Sequence, residues 1–379
     1  MRILTLNIWG VPYAKHRAVR FRQIAEKSIE VAPDVLCFQE VYLPRTPKIM
    51  IDHLKADYPY THHFTSSVIG SGLLTLSKYP IVDAAFHRFR MSGKLFRKGD
   101  YYAGKGIGLV RIQMPDGLVD VYNCHTHAQY EAHNDNEDAI YTNTNLYEAV
   151  RFIHTNSGNN PAVLCGDLNT RPDQLGYRIL LQLGNLSDSY YHHHNKYPIT
   201  YSSDNPYTHD FNQCLDYVML RNSSIRSIEL VMNQPISADK AYSDHYGLLA
   251  EIDTQQQSSQ PSKPDIEAVM QSLLQEVKLA LIKTENEQLT HTGHAILGFS
   301  TLIDGNLLAN FIGRYFKPLA KILRLLVNVG GFGYGIYSLL QAGVNLQSRR
   351  ATLQAIYDEL KHQIDSRCLF DAREWELPS

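Results

Sequence analysis

The sequence predicts a layered α/β fold followed by a C-terminal α-helical domain. Three observations predict it. Short, apolar, β-branched runs recur through the first 250 residues, with amphipathic stretches between them. These runs are continuous rather than alternating, which suits strands buried on both faces. At Asp253 the texture changes, and every later apolar segment has helical spacing.

The strand candidates are ILTLNIW, DVLCFQEV, GLLTLSKYPIV, GIGLVRIQM, LVDVYNCHTH, AVLCGDLN, CLDYVML and GLLAEI. Helix candidates between them include Arg17 to Ala32 and Thr144 to Thr155. The second carries Leu146, Ala149, Val150 and Ile153 on one face. Strands mixed with helices over this length predict one layered domain, residues 1–253. Thr254 to Pro264 (TQQQSSQPSKP) offers nothing apolar to bury and reads as a linker. The domain from 265 to 379 opens on a helix whose face carries Ile266, Val269, Met270, Leu273, Leu274, Val277 and Leu281. A second amphipathic helix runs from about Thr352 to Ile364, aligning Leu353, Ile356, Tyr357, Leu360 and Ile364.

Between those helices, Leu325 to Ser348 is a run of 24 residues without a formal charge, long enough to cross a bilayer. Asn328, Gln341 and five glycines raise its insertion cost. Ala295 to Gly313 is also apolar but is broken by Asp304. The 295–344 region therefore reads either as a membrane-embedded hairpin or as a soluble bundle with a Gly-rich helix. Bases lie on both sides, Arg314, Lys317, Lys321 and Arg324 before and Arg349 and Arg350 after, so charge sets no orientation.

Composition narrows the function. A net charge of −2 supplies no global positive field, which makes nucleic acid an unlikely partner. The five cysteines, Cys37, Cys124, Cys165, Cys214 and Cys368, show no zinc-ligand spacing, and four lie in apolar runs such as VLCF. They fit a reducing, cytoplasm-facing compartment. MRILTLNIWG begins strand-like at once, so no signal peptide is expected from it.

Polar residues fall at the ends of the strand-like runs. Asn7 ends ILTLN, Glu40 follows VLCFQ, His125 ends DVYNCH, and Asp167 and Asn169 follow AVLCG. Asp216 interrupts CLDYVML, and Asp244-His245 precedes GLLAEI. One such residue is ordinary; six runs delivering them together point to one shared site at a sheet edge. Glu40 follows a dry run and needs a counter-ion, for which a hard divalent cation with Asn7 as a neutral oxygen ligand is economical. Alone, Glu40 reads as a salt-bridged strand end. In GDLN, Asp167 and Asn169 project to one face of an extended chain, and the alternative is an Asx-turn. In SDH, a carboxylate adjoins an imidazole that suits a general base. His125 and His127 of CHTH share a face, while His192 to His194 lie in a polar, Tyr-rich loop and read as solvated.

These motifs together resemble a known family. LNIWG, FQEV, HHF…IGSGL (His62 to Leu73), AGKGIGL (Ala103 to Leu109), HTHAQY, CGDLN, DYV and SDH occur in order across residues 3 to 252. They are similar to the neutral sphingomyelinases of the endonuclease/exonuclease/phosphatase superfamily, and the IGSGL and AGKGIGL stretches resemble the membrane branch, whose members carry hydrophobic C-terminal segments. The resemblance implies the endonuclease/exonuclease/phosphatase fold, a layered β-sandwich flanked by helices, and a magnesium-dependent phosphodiesterase, with manganese as the alternative ion. It implies that Glu40 and Asn7 hold the metal and that His245 is the general base, aligned by Asp244. Asp167 would orient the attacking water, Asn169 and His125 would stabilise the phosphate, Lys105 would bind substrate, and Asp216 would support the site. The implied substrate is a membrane choline phospholipid such as sphingomyelin, cut to ceramide and phosphocholine. The sequence departs at Cys124, where the family has Thr, and at Gln129, where it has Glu. Aromatic residues of Met91 to Tyr102, Phe96, Tyr101 and Tyr102, could lean on a lipid interface. The rivals are a nuclease, a phosphoinositide phosphatase (whose WCDR-type motif is replaced by QCLDYV) and an inactive membrane-tethered scaffold.

Overall fold

The structure is a computed structural model and describes residues 1–94, 100–129, 138–208, 211–255 and 265–366. Phe96, Cys368 and linker residues 256–264 lie outside the described residues. Two compact units divide the chain, Met1–Ser272 and Leu273–Arg367.

The first unit opens with β1 (Arg2–Asn7), α1 (Arg17–Val31), β2 (Val35–Gln39), α2 (Arg45–Leu54), β3 (Tyr60–His63) and β4 (Leu74–Ser77). It continues through β5 (Ile81–Arg88), β6 (Gly106–Met114), β7 (Gly117–His125), α3 (Ala139–Ser157), β8 (Ala162–Asp167) and α4 (Leu175–Arg178). It ends with β9 (Ser187–Asp188), α5 (Ser189–His194), β10 (Asp216–Arg221), β11 (Ser224–Val231) and β12 (Gly247–Asp253), before entering α6 (Ile266–Ile312).

These strands form two six-stranded sheets, β3-β4-β2-β1-β12-β11 and β5-β6-β7-β8-β10-β9. Pair directions match step for step: two antiparallel pairs, one parallel pair, two antiparallel pairs. The parallel pairs, β1 with β2 and β7 with β8, sit at the centre of each sheet. Parallel neighbours need a crossover, and α1 and α3 supply it. Every residue of β2 and β8 is buried, as the unbroken apolar runs require.

The sheets pack through Ile3, Val35, Cys37, Val110, Val121, Val163, Cys165, Val218 and Leu248. The alternate residues of the first sheet, Leu4, Leu6, Leu36 and Phe38, turn the other way to meet Phe21 and Ile24 of α1 and Met50 and Leu54 of α2. The period of two separates these layers. Polar residues also cross the sandwich: Gln39 Nε2 donates to Asn123 Oδ1 at 2.8 Å, and Asn123 Nδ2 to the Phe38 carbonyl at 3.1 Å. Cys37, Cys124, Cys165 and Cys214 are free and buried.

The second unit contains the rest of α6, then α7 (Lys317–Leu340), a π-helical stretch (Gln341–Leu346) and α8 (Gln347–Asp365). Leu353, Ile356 and Leu360, on the predicted apolar face of α8, are fully buried. The two continuous helices Ile266–Ile312 and Lys317–Asp365 are long and apolar enough to cross a membrane. Only 17% and 11% of their most apolar windows are buried. Among the described residues, those windows are mostly exposed. Where α6 and α7 meet, a Cβ on Gly298 would lie 2.7 Å from the Gly335 nitrogen, and Asn306 Nδ2 donates to Asn328 Oδ1 at 2.7 Å.

Candidate active site

The two central parallel pairs bring their carboxyl ends together. Asn7 lies opposite Gln39, with Glu40 next in the chain, and His125 lies opposite Asp167. Asp216 starts β10 directly across from Asp167. The side chains that the sequence singled out at separate strand ends thus meet at one edge of the sandwich.

Asp167 is the hub. Its Oδ2 accepts from Asn7 Nδ2 at 2.9 Å and lies 3.5 Å from His125 Nε2 and 3.8 Å from His245 Nε2. Its Oδ1 accepts from the backbone of Asn169 at 3.1 Å. That bond is the Asx-turn alternative, and it changes how Asn169 arrives. Asn169 is not extended but left-handed, φ +43°, a conformation Asn tolerates. Its Nδ2 donates to the Thr126 carbonyl at 3.2 Å.

His245 Nδ1 donates to Asp216 Oδ2 at 2.8 Å. This corrects the expected alignment by Asp244. Asp244 sits in a bend before β12, and its Oδ1 accepts from Ser243 Oγ at 3.1 Å instead. Asp216, expected only to support the site, is thus the acid that holds the His245 ring. Burial alone would push the His245 imidazole down, but Asp216 and Asp167 outweigh it and hold the pKa well above the usual histidine range. His125 shows the opposite balance: burial, then the Lys105 charge, push it well below that range. His125 is a neutral imidazole whose buried Nδ1 has no hydrogen-bond partner among the described residues.

Lys105 is buried, pairing with Asp100 Oδ1 at 2.8 Å and donating to the Thr126 carbonyl at 2.9 Å. Asp100 was not foreseen: burial opposes its ionisation, but Lys105 and His127 win and hold its carboxyl below the usual range. His127 lies 3.7 Å from Asp100 rather than joining His125. Gln129 bonds Gln174, Cys124 is fully buried, and His194 of the HHH run contacts the Ile228 carbonyl.

Arg20 was also missed, although it stands on the α1 stripe with Phe21, Ile24 and Ser28. Its side chain is fully buried and donates to the carbonyls of Lys15, Ile8, Trp9 and Tyr242 at 2.7–3.2 Å. Burial pushes its guanidinium down to about 10. It ties the exit of β1 to the segment that carries Asp244 and His245. Replacing Arg20 with Met would strand four carbonyls and should cost about 3 kcal/mol or more. Arg20→Lys should recover little of it, because an ammonium lacks the planar fork. Denaturant titration of both variants checks this.

Two places could take a divalent cation. Asp167, Asp216 and His245 offer ligand atoms within 4.8 Å of one another, but two of them already hold each other. Glu40 is the better seat. It sits at φ +59°, its Oε2 is buried without a hydrogen-bond partner among the described residues, and burial, then the Asp244 charge, push its carboxyl up to about 7. A hard cation is what such an oxygen lacks. The Asn7 Oδ1 accepts from the Trp9 amide at 3.0 Å and keeps a second lone pair.

Residues 4–245 match the Endonuclease/Exonuclease/phosphatase family. The chain is 34% identical over 197 residues to human sphingomyelin phosphodiesterase 2, covering 50% of this chain and 46% of that one. It is 30% identical over 223 residues to the inositol phosphosphingolipids phospholipase C of Saccharomyces cerevisiae, covering 52% and 46%. The chain thus spans about half the length of these curated relatives. A crystal structure of a Staphylococcus aureus beta toxin mutant with bound magnesium ions aligns with TM-score 0.56 at 20% identity, over 66% of this chain and 98% of that one.

Proposed function

The chain belongs to the endonuclease/exonuclease/phosphatase family, and from that premise we propose that it is a magnesium-dependent phosphodiesterase acting on sphingomyelin. The observation that carries the proposal is the pairing of two groups in one mouth: a buried Glu40 oxygen with no hydrogen-bond partner among the described residues, and an imidazole held at 2.8 Å by its own carboxylate. The sphingomyelin phosphodiesterase and the phosphosphingolipid phospholipase C among its relatives favour a phosphosphingolipid over DNA or a phosphoinositide. The bound magnesium of the S. aureus toxin favours that ion, with manganese as the alternative.

Glu40 and Asn7 would hold the cation. When bound, it neutralises charge developing on the phosphodiester oxygens and lowers the proton affinity of the nearby imidazole. Asp216 fixes His245 with the proton on Nδ1, leaving Nε2 to take a proton from the attacking water. Asp167, between Asn7 and His245, orients that water. His125, neutral, and Asn169 donate to the phosphate, while Lys105 supplies fixed positive charge beside it. Intact acid, base and amide groups speak against an inactive scaffold.

The direct test is phosphocholine release from sphingomyelin micelles with magnesium. Release should stop on chelation and return with added magnesium; lysophosphatidylcholine and abasic DNA serve as rival substrates. Turnover of the DNA with none of either lipid would overturn the lipid reading.

We also assign catalysis to residues 1–253 and membrane attachment to 265–379. The α6 and α7 windows, apolar and mostly exposed, suit a bilayer-embedded hairpin, with the first unit in a reducing compartment. After alkaline carbonate extraction the full chain should stay in the membrane pellet. Its appearance in the supernatant would point to peripheral attachment instead.

A further inference from the structure

We infer that two loop tips, Tyr13 and Val68, form a rim that presses the mouth of the site onto the lipid–water interface of the substrate bilayer. The inference rests on the lipid reading above and deepens it, since it concerns how the site meets its substrate.

Tyr13 and Val68 are 81% and 82% exposed, the two highest values among the large apolar side chains of the described residues. In the first unit the next is Val82, at 54%. A scattered exposed apolar residue needs no explanation. Here, however, both tips belong to loops that brace the segment carrying Glu40. On one side, Gly10 packs so closely that an added Cβ would lie 2.2 Å from the Glu40 carbonyl oxygen. On the other, the Gly72 and Ile69 carbonyls accept from the Val41 and Leu43 amides at 2.9 and 3.3 Å.

Both tips are held by turns. The Ala14 amide donates to the Val11 carbonyl at 3.0 Å, closing a turn in which Pro12 precedes Tyr13. Val68 follows Ser67, which bridges to Ala103, two residues before Lys105. Fixed tips lose little conformational freedom on docking.

The chemistry of the tips suits one occupant. A Tyr ring favours the headgroup level of a bilayer, apolar body inward and hydroxyl in water, while a Val can enter the acyl boundary. The exposed bases Lys15, two residues beyond Tyr13, and Arg45, at the start of α2 beyond the Glu40 segment, would complement lipid phosphates. Continuity with the mouth completes the argument. The scissile phosphodiester of a bilayer lipid lies at headgroup depth, so the loops around Glu40 must come down to that level.

The test uses the full chain reconstituted in phosphatidylcholine–sphingomyelin vesicles, with or without brominated phosphatidylcholine. Tyr13→Trp and Val68→Trp report on the rim. Val82→Trp is the reference: β5 pairs its Arg88 end with Gly106, which lies opposite His125, and its Ile81 end with Ile112. Val82 is thus at the end of the strand remote from the site. With the emission of the parent's two tryptophans subtracted, brominated lipid should quench positions 13 and 68 at least about twofold more than position 82, as interfacial burial requires. Equal quenching at all three positions overturns the inference.

A second arm compares Tyr13→Ser/Val68→Ser with the parent. Hydrolysis of vesicle sphingomyelin should fall at least about tenfold, since full burial of two such side chains would be worth over about a hundredfold and burial at the interface is partial, while hydrolysis of soluble bis-p-nitrophenyl phosphate stays unchanged. Equal loss on both substrates would make the loops supports of the site and overturn the rim. If the parent cleaves neither substrate, the phosphodiesterase reading fails, and the quenching result still decides whether the rim meets lipid.

Discussion

His245→Ala is expected to lower turnover of sphingomyelin by about two to four orders of magnitude, the span that general-base loss commonly covers. The neighbouring acids sharpen this into a test of geometry. Asp216 lies 2.8 Å from His245 Nδ1, whereas Asp244 faces Ser243. Asp216→Asn can offer its amide N–H to Nδ1, which would favour the tautomer with the proton on Nε2, the atom that must accept one. Its loss should therefore approach that of His245→Ala, about 10³-fold or more. Asp244→Asn should cost far less in the chemical step and act chiefly through Glu40, whose proton affinity Asp244 raises. Single-turnover rates at saturating magnesium separate the two, with thermal melts confirming that each variant is folded. If Asp244→Asn abolishes turnover while Asp216→Asn leaves it intact, the assignment of the orienting acid is wrong.

The case of Asp216 shows what one sequence can and cannot convey. CLDYVML signals an acid inside an apolar run, and SDH signals an acid beside an imidazole. Sequence adjacency made Asp244 the natural partner, yet the actual partner lies 29 positions away and becomes a neighbour only when β10 pairs with β8. Strands follow the same logic. Every inner strand of both sheets, β12, β1, β2, β4, β6, β7, β8 and β10, coincides with an apolar run, because such strands are buried on both faces. The four edge strands, β3, β5, β9 and β11, were not legible as strands in their own right; the run GLLTLSKYPIV enters only the start of β5. Tyr60–His63 reads YTHH, and Ser224–Val231 carries Arg226, Ser227 and Glu229. Solvent on one face dilutes the apolar signal, and pairing to an inner neighbour supplies what composition lacks. Arg20 was missed for a related reason. Its place on the α1 stripe is visible, but the four carbonyls that it serves come from three separate stretches of chain.

Glu40→Gln should separate stability from activity in a way no purely structural carboxylate would. Desolvation and the Asp244 charge push the Glu40 carboxyl up to about 7 in the folded protein, against 4.5 for the unperturbed group. A raised carboxyl binds its proton more tightly when folded. The metal-free protein therefore loses stability as pH rises from about 4.5 to about 7, and carries the full penalty above that. Removing the charge should raise the stability of the metal-free protein at pH 8 by up to about 3 kcal/mol, seen as a higher melting temperature. The same change should remove the seat of the cation, so magnesium should no longer raise the melting temperature and turnover should fall by about three orders of magnitude or more. In the parent the proton and the cation compete for one oxygen. Magnesium affinity should be flat above pH 7 and fall about tenfold for each unit below it, which calorimetric titrations at pH 8, 6.5 and 5.5 would measure. A parent affinity that does not change between pH 8 and 5.5 would place the cation elsewhere, and the Asp167, Asp216 and His245 cluster would be its next seat. A destabilised Glu40→Gln that still gains stability from magnesium would make Glu40 a structural strand-end residue, the reading that its sequence position alone supports.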